Sequence, residues 1–178
     1  MKKFFVLLAA LAATSTVVVG SAFAQASTFG QREALGAAKS YLSSGGFSRA
    51  GLIHQLESPY GEDFSHAEAV WGVNHAHANW NAEAVQAAKS YLRSGHFSRA
   101  GLIDQLASPY GEDFSHADAV WGVNHAHANW YREAVQAARS YLRTGSFSRA
   151  ALIHQLESPY GDHFTHAQAV YGVSRAYR

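Results

Sequence analysis

The chain has 178 residues, 48% of them hydrophobic and 13% aromatic, which suits one or two ordinary domains or a short array of small ones and excludes disorder throughout. It has no cysteine, so disulfides, thiolate metal sites, thiol nucleophiles and a lipid-modified N-terminal cysteine are excluded. Fourteen Lys and Arg face thirteen Asp and Glu, a formal charge of +1, which offers no long-range attraction for nucleic acid or an anionic membrane.

The N-terminus reads as a targeting segment. Met1-Lys2-Lys3 is a positive start, Phe4 to Ala13 is an apolar run, and Ala22-Phe23-Ala24 supplies the small residues that a signal peptidase reads. The expectation is a signal peptide over 1–24, cleaved after Ala24. The exported chain then carries twelve basic and thirteen acidic residues, with no stable membrane span.

From there one unit is written three times. AAKSYL at 37–42 returns at 87–92 and as AARSYL at 137–142; SPYGEDFSHA at 58–67 returns at 108–117 and as SPYGDHFTHA at 158–167. The period is 50, and 37–80 differs from 87–130 only at positions 43, 46, 54, 57 and 68. The expected repeats are 25–79, 80–129 and 130–178.

Each unit reads as three helices. The first runs from about Ala82 to Ser94, with Ala84, Val85, Ala88, Tyr91 and Leu92 on its apolar arc and Gly95 as its C-terminal cap. The second starts after Ser98 as N-cap, buries Leu102, Ile103 and Leu106, and stops at Ser108-Pro109-Tyr110-Gly111. The third opens with a capping box, Ser65-x-x-Glu68, repeated as Ser115-x-x-Asp118 and Thr165-x-x-Gln168. No segment alternates with the two-residue period of a strand. The fold expected is all-α: three tandem three-helix repeats, each with a helix-turn-helix-like pair, stacked for stability. The expected core of the first unit and its joint is Leu42, Phe47, Leu52, Ile53, Leu56, Phe64, Val70, Val73, Trp80, Val85 and Leu92.

Several constellations invite chemistry. His75-Ala76-His77 recurs as His125-Ala126-His127, and His66 could add a third ligand. Imidazole suits zinc, copper or nickel, but an i,i+2 pair shares no helix face and chelates only where the helix has ended. The third unit has Arg175 and Tyr177 there, so these histidines are weak metal candidates and no cofactor is expected. Glu62-Asp63 reads as turn and cap rather than a catalytic pair. There is no G-x-S-x-G elbow, P-loop or G-x-G-x-x-G, and three near-copies offer no asymmetric pocket, so no enzyme is expected. One recurring arginine per unit (Arg49, Arg99, Arg149) is thin for DNA, and an exported chain lacks access to the genome.

One surface feature stands out. Glu68, Gly72 and His75 cluster on the third helix, off the apolar arc, with Trp71 beside them. The copies are Asp118, Gly122, His125 and Trp121. The glycines either leave bare backbone for a partner or mark close packing between adjacent units. On the first reading this stripe binds a protein.

These motifs resemble the Ltp-like host cell surface-exposed lipoproteins. The resemblance rests on F-S-R-x-G-L-I-x-Q-L (Phe47 to Leu56), Y-G-E-x-F-S-x-x-[DE]-A (Tyr60 to Ala69) and N-W-N-x-E-A-V-x-x-A-x-x-Y-L (Asn79 to Leu92), over about residues 30–178. It implies a helix-turn-helix-like helical repeat. It also implies, for phage-encoded members, superinfection exclusion at the outer face of the membrane by hindering phage DNA entry. Two departures count: there is no lipobox cysteine, and the family's Asp-Trp-Asn stands here as Asn79-Trp80-Asn81 and Asn129-Trp130-Tyr131. The expected protein is secreted or loosely cell-surface associated, without a lipid anchor. Its expected partner is a protein of the cell envelope or a phage injection component. The alternatives are an envelope adhesion or scaffold module without a phage role, and a histidine-based metal binder.

Overall fold

The computed structural model of the chain describes residues 27–177, so the leader and its expected cleavage site lie outside the described residues. Within them the chain is helical, with no strand. The first unit holds α1 (Phe29–Ser44), α2 (Arg49–Glu57) and α3 (His66–His75). The second holds α4 (Trp80–Ser94), α5 (Arg99–Ala107) and α6 (His116–His125). The third holds α7 (Trp130–Thr144), α8 (Arg149–Glu157) and α9 (His166–Ala176). The protein is an all-α array of three three-helix repeats of about 50 residues.

The caps explain most of the boundaries. Ser48, Ser98 and Ser148 each accept the backbone N–H three residues on, at 2.8, 2.9 and 3.1 Å. The boxes at Ser65–Glu68 and Thr165–Gln168 close in both directions. In the second unit Asp118 is one methylene shorter, and its carboxylate takes the Ser115 hydroxyl instead of the N-cap amide. Between the second and third helices the Ser58 carbonyl accepts from Gly61 and Asp63, and Phe64 N–H returns to the Leu56 carbonyl. Asp63, Asp113 and His163 take the left-handed conformation that closes this turn, which is longer than that of an ordinary helix-turn-helix.

Each unit wraps its own core. In the first, Ala38, Leu52, Ile53, Leu56, Ala69 and Val73 are buried, with Leu42, Phe47, Phe64, Val70 and Trp80 packed around them. Leu102 and Leu106 lie fully buried in the second unit, and Leu152 and Leu156 in the third. Val85 departs from expectation: it is half-buried on the flank of α4 and lies outside the second core.

The first and third helices of each unit share the longest contact. Glycine makes this possible. A Cβ at Gly72 would stand 2.7 Å from the Ala34 carbonyl carbon, one at Gly122 would stand 2.5 Å from that of Ala84, and one at Gly172 would stand 2.6 Å from the Ala134 carbonyl oxygen. The expectation that Gly72 and Gly122 offer bare backbone to a partner is therefore corrected. Both are buried, and the packing they serve lies between two helices of one unit rather than between units.

Trp80 and Trp130 carry the apolar part of the joints between units, and polar contacts complete them. Gly45 and Gly46 both take positive φ, 74° and 89°, and this turn aims the Gly46 and Phe47 amides at the buried Glu83 carboxylate of the next unit, at 2.6 and 3.3 Å. At the second joint His96 stands in place of Gly46, and its Nδ1 approaches Glu133 at 4.0 Å. Ser48 and Ser98, each followed by another unit, are 1% exposed, whereas Ser148 in the third unit is open. The three hydrophobic clusters remain separate.

Candidate functional site

The third helix of each unit carries an aromatic ring outward, one turn before a basic side chain. In the first unit His75 stacks on Trp71, with ring centroids 3.8 Å apart and planes 17° from parallel, and its Nδ1 donates to the Trp71 carbonyl at 2.7 Å. The second unit repeats this at 4.0 Å and 19°, with Nδ1 of His125 at 2.8 Å from the Trp121 carbonyl. A carbonyl only accepts, so the proton sits on Nδ1 and Nε2 is presented outward. In the third unit Arg175 lies over Tyr171, 5.4 Å from the ring centroid. Trp121 and Tyr171 are 47% and 40% exposed, which leaves a large part of each ring to be covered by another surface. Lys39, Lys89 and Arg139 occupy one position on the first helix of the three units, and all are exposed.

The stripe expected from the sequence thus divides. Trp71, His75, Trp121 and His125 are at the surface and in contact with one another in pairs. Gly72 and Gly122 are inside. Glu68 and Asp118 are engaged at the N-terminal cap: Glu68 Oε2 accepts from the Ser65 amide and hydroxyl at 3.1 and 2.6 Å. The histidine set is scattered. His75 ends its helix and His77 turns left-handed beyond it, while His66 bonds Glu57 at the opposite end of α3. Among the described residues no group of three His, Asp or Glu side chains is gathered to hold a metal ion.

In the third unit the face deepens into an open groove of about 700 Å³ between α7 and α9. Tyr131, Arg132, Val135 and Arg139 line it from α7, and Tyr171 and Arg175 from α9. Tyr131 meets Tyr171 edge-on at 5.2 Å and 77°. This groove is not among the sequence expectations, although its signal is visible: position 131 is tyrosine where the earlier copy has Asn81. Nor are Tyr60, Tyr110 and Tyr160, which stand 100% exposed in the three Ser-Pro-Tyr-Gly turns. Their signal is the exact recurrence of that tetrapeptide.

The family described as host cell surface-exposed lipoprotein matches residues 30–76, 79–126 and 129–175. The chain belongs to this family. Each match spans one trio of helices, from α1 to α3, from α4 to α6 and from α7 to α9. Among solved structures, the chain is similar to Ltp, a superinfection exclusion protein from the Streptococcus thermophilus temperate phage TP-J34. The identity is 30%, over 55% of this chain and 95% of that one, with a TM-score of 0.49. No curated protein matches the chain. Family members are described as surface-exposed on the host cell. This sequence has no cysteine to carry the lipid that the family's description names, and no helix among the described residues is long and apolar enough to cross a membrane.

Proposed function

We propose that this family member, exported and cleaved after Ala24, is held loosely at the outer face of the cell, where it binds a protein and interferes with phage DNA entry. The observation that carries the reading is the outward aromatic with its basic neighbour, repeated on the third helix of every unit: Trp71–His75, Trp121–His125 and Tyr171–Arg175. Aromatic rings with a polar tip and arginine are the side chains that dominate protein–protein contacts. Three such patches on one chain reinforce one another against a repetitive or elongated partner. The phage role is supported by the family's place on the host cell surface and by the 30% identity to a protein named for superinfection exclusion. No catalytic step enters this reading.

The test is plating. A phage-sensitive host expressing the chain with its leader should show fewer plaques than the empty host, with phage adsorption unchanged. Replacing Trp71, Trp121 and Tyr171 together by alanine should restore plating by about 10²-fold if the three patches act jointly. A second variant, with Tyr60, Tyr110 and Tyr160 replaced by alanine, serves as the comparison. If the loop tyrosines abolish protection while the helix aromatics leave it intact, the binding face is the set of turns. If both variants protect fully, the proposed surface is wrong.

A further inference from the structure

The groove between α7 and α9 has a chemistry of its own. Of the side chains that line it, three are arginines and none is acidic. Arg132 leans toward the buried Glu133 carboxylate at 3.6 Å and is partly neutralised. Arg139 and Arg175 have no carboxylate within ion-pair distance among the described residues. Their guanidinium groups can each take a carboxylate through two parallel hydrogen bonds. Beside them Val135 and the tyrosine rings give an apolar wall. At about 700 Å³ the groove matches a short peptide segment rather than a single ion.

We propose that this groove binds an acidic, partly apolar peptide segment of the protein partner, with carboxylates on Arg139 and Arg175 and an apolar side chain against Val135 and Tyr131. The inference rests on the protein-binding role proposed above and gives the partner's chemistry at one unit of it. Single-stranded nucleic acid is the competing anion, and ring geometry disfavours it. A base needs an open aromatic face. Here Tyr131 and Tyr171 meet edge to face and Arg175 lies over the Tyr171 ring, so the two rings offer no parallel platform for successive bases. The other units carry reduced versions. Position 131 corresponds to Gln31 and Asn81, position 139 to Lys39 and Lys89, and position 175 to His75 and His125. The rigid two-pronged donors are therefore concentrated in the third unit.

The test uses the exported protein and a fluorescein-labelled peptide of alternating glutamate and leucine. Fluorescence anisotropy should show saturable binding that weakens as salt is raised. The Arg139→Gln/Arg175→Gln variant should bind about tenfold more weakly or worse, the loss expected for about 1.4 kcal/mol. Both side chains are exposed, so its thermal melt should match that of the unaltered protein. A peptide with glutamine for glutamate should be weakened to a similar extent. Equal binding of the glutamine peptide, unchanged binding by the double variant, or tighter binding of oligothymidylate would each overturn the proposal. No phage or host cell enters this measurement. A chain that binds the peptide but does not protect keeps this site and loses the role proposed above; a chain that protects but ignores the peptide loses this site alone.

Discussion

Asp162 shows how much one methylene changes. In the first two units Glu62 and Glu112 reach the Tyr41 and Tyr91 hydroxyls, which donate to them at 2.8 and 2.7 Å. Asp162 is shorter, and its Oδ2 is buried with no hydrogen-bond partner. Burial pushes its carboxyl above the ordinary value of 3.8, by more than the nearby Tyr141 hydroxyl pulls it down. A raised native value means that the charged form is disfavoured in the fold. This group's contribution is then most favourable below its unfolded value and is lost as pH rises through the raised native one. Asp162→Asn should accordingly raise the melting temperature at neutral pH, and the gain should shrink on acidification and vanish by about pH 3. A gain that grew as pH fell would contradict this account. Residue-level reading of the sequence failed elsewhere for a related reason of scale. On α3 the buried face is Ala69, Gly72 and Val73, whereas the sequence expectation sets Val70 in the core and Gly72 off the apolar arc. Valine outweighs glycine in hydropathy, so the arc swung toward it. Close helix approach rewards the absence of a side chain, which no hydropathy value records.

At the scale of the element, the ends of the helices were the most legible part of the sequence. Ser48, Ser98, Ser65 and Thr165 act as the caps that their positions announced. The box at Thr28–Gln31 is hidden in the sequence, because Phe29-Gly30 stands where the next copy has Asn79-Trp80. The first helix of the second unit starts at Trp80 rather than Ala82, and Trp80 packs on the first unit's core while opening the second unit's helix. Trp130 does the same one unit on. In the third unit α9 runs on to Ala176, and Tyr177 folds onto the core, where its hydroxyl donates to the Phe147 carbonyl and Arg149 lies 4.8 Å from its ring centroid. Tyr177 thus supplies to the third core the aromatic cover that Trp80 and Trp130 supply to the other two. Tyr177→Ala should destabilise the third unit by about 1–3 kcal/mol, below the 3–5 of a fully buried aromatic because the ring is only half-buried. Tyr177→Phe should lose only the hydrogen bond, about 1 kcal/mol. Urea unfolding of the two variants distinguishes them; an alanine variant as stable as the parent would show that the ring covers nothing.

Across the whole molecule, stacking on a neighbour is expected to add stability, and in the structure each unit keeps a hydrophobic cluster of its own. The joints are made by Trp80 and Trp130, which open one unit's first helix while packing on the previous unit's core, and by polar contacts: a carboxylate on two amides at Glu83, His96 near Glu133, and His163 near Asp104 at 3.6 Å. The histidine contacts at the surface contribute about 0–1 kcal/mol each, and the hydrogen bonds to the buried Glu83 carboxylate about 1.5–3 kcal/mol each. Coupling between units should therefore be smaller than the burial inside each one. Gly122→Ala tests this. The new Cβ would press on the Ala84 backbone at 2.5 Å, and overpacking of that kind costs about 1–3 kcal/mol. A unit of some 50 residues has little stability to spare, so the middle unit should unfold first in urea. Far-UV circular dichroism should then show two steps, with roughly a third of the helical signal lost in the first. Tryptophan emission adds a local check, since Trp121 lies in the failing unit and Trp130 packs on its core, whereas Trp71 lies in the first unit. If the variant instead melts in one sharp step at lower urea, the joints transmit the damage, and the three units fold as one body despite their separate cores.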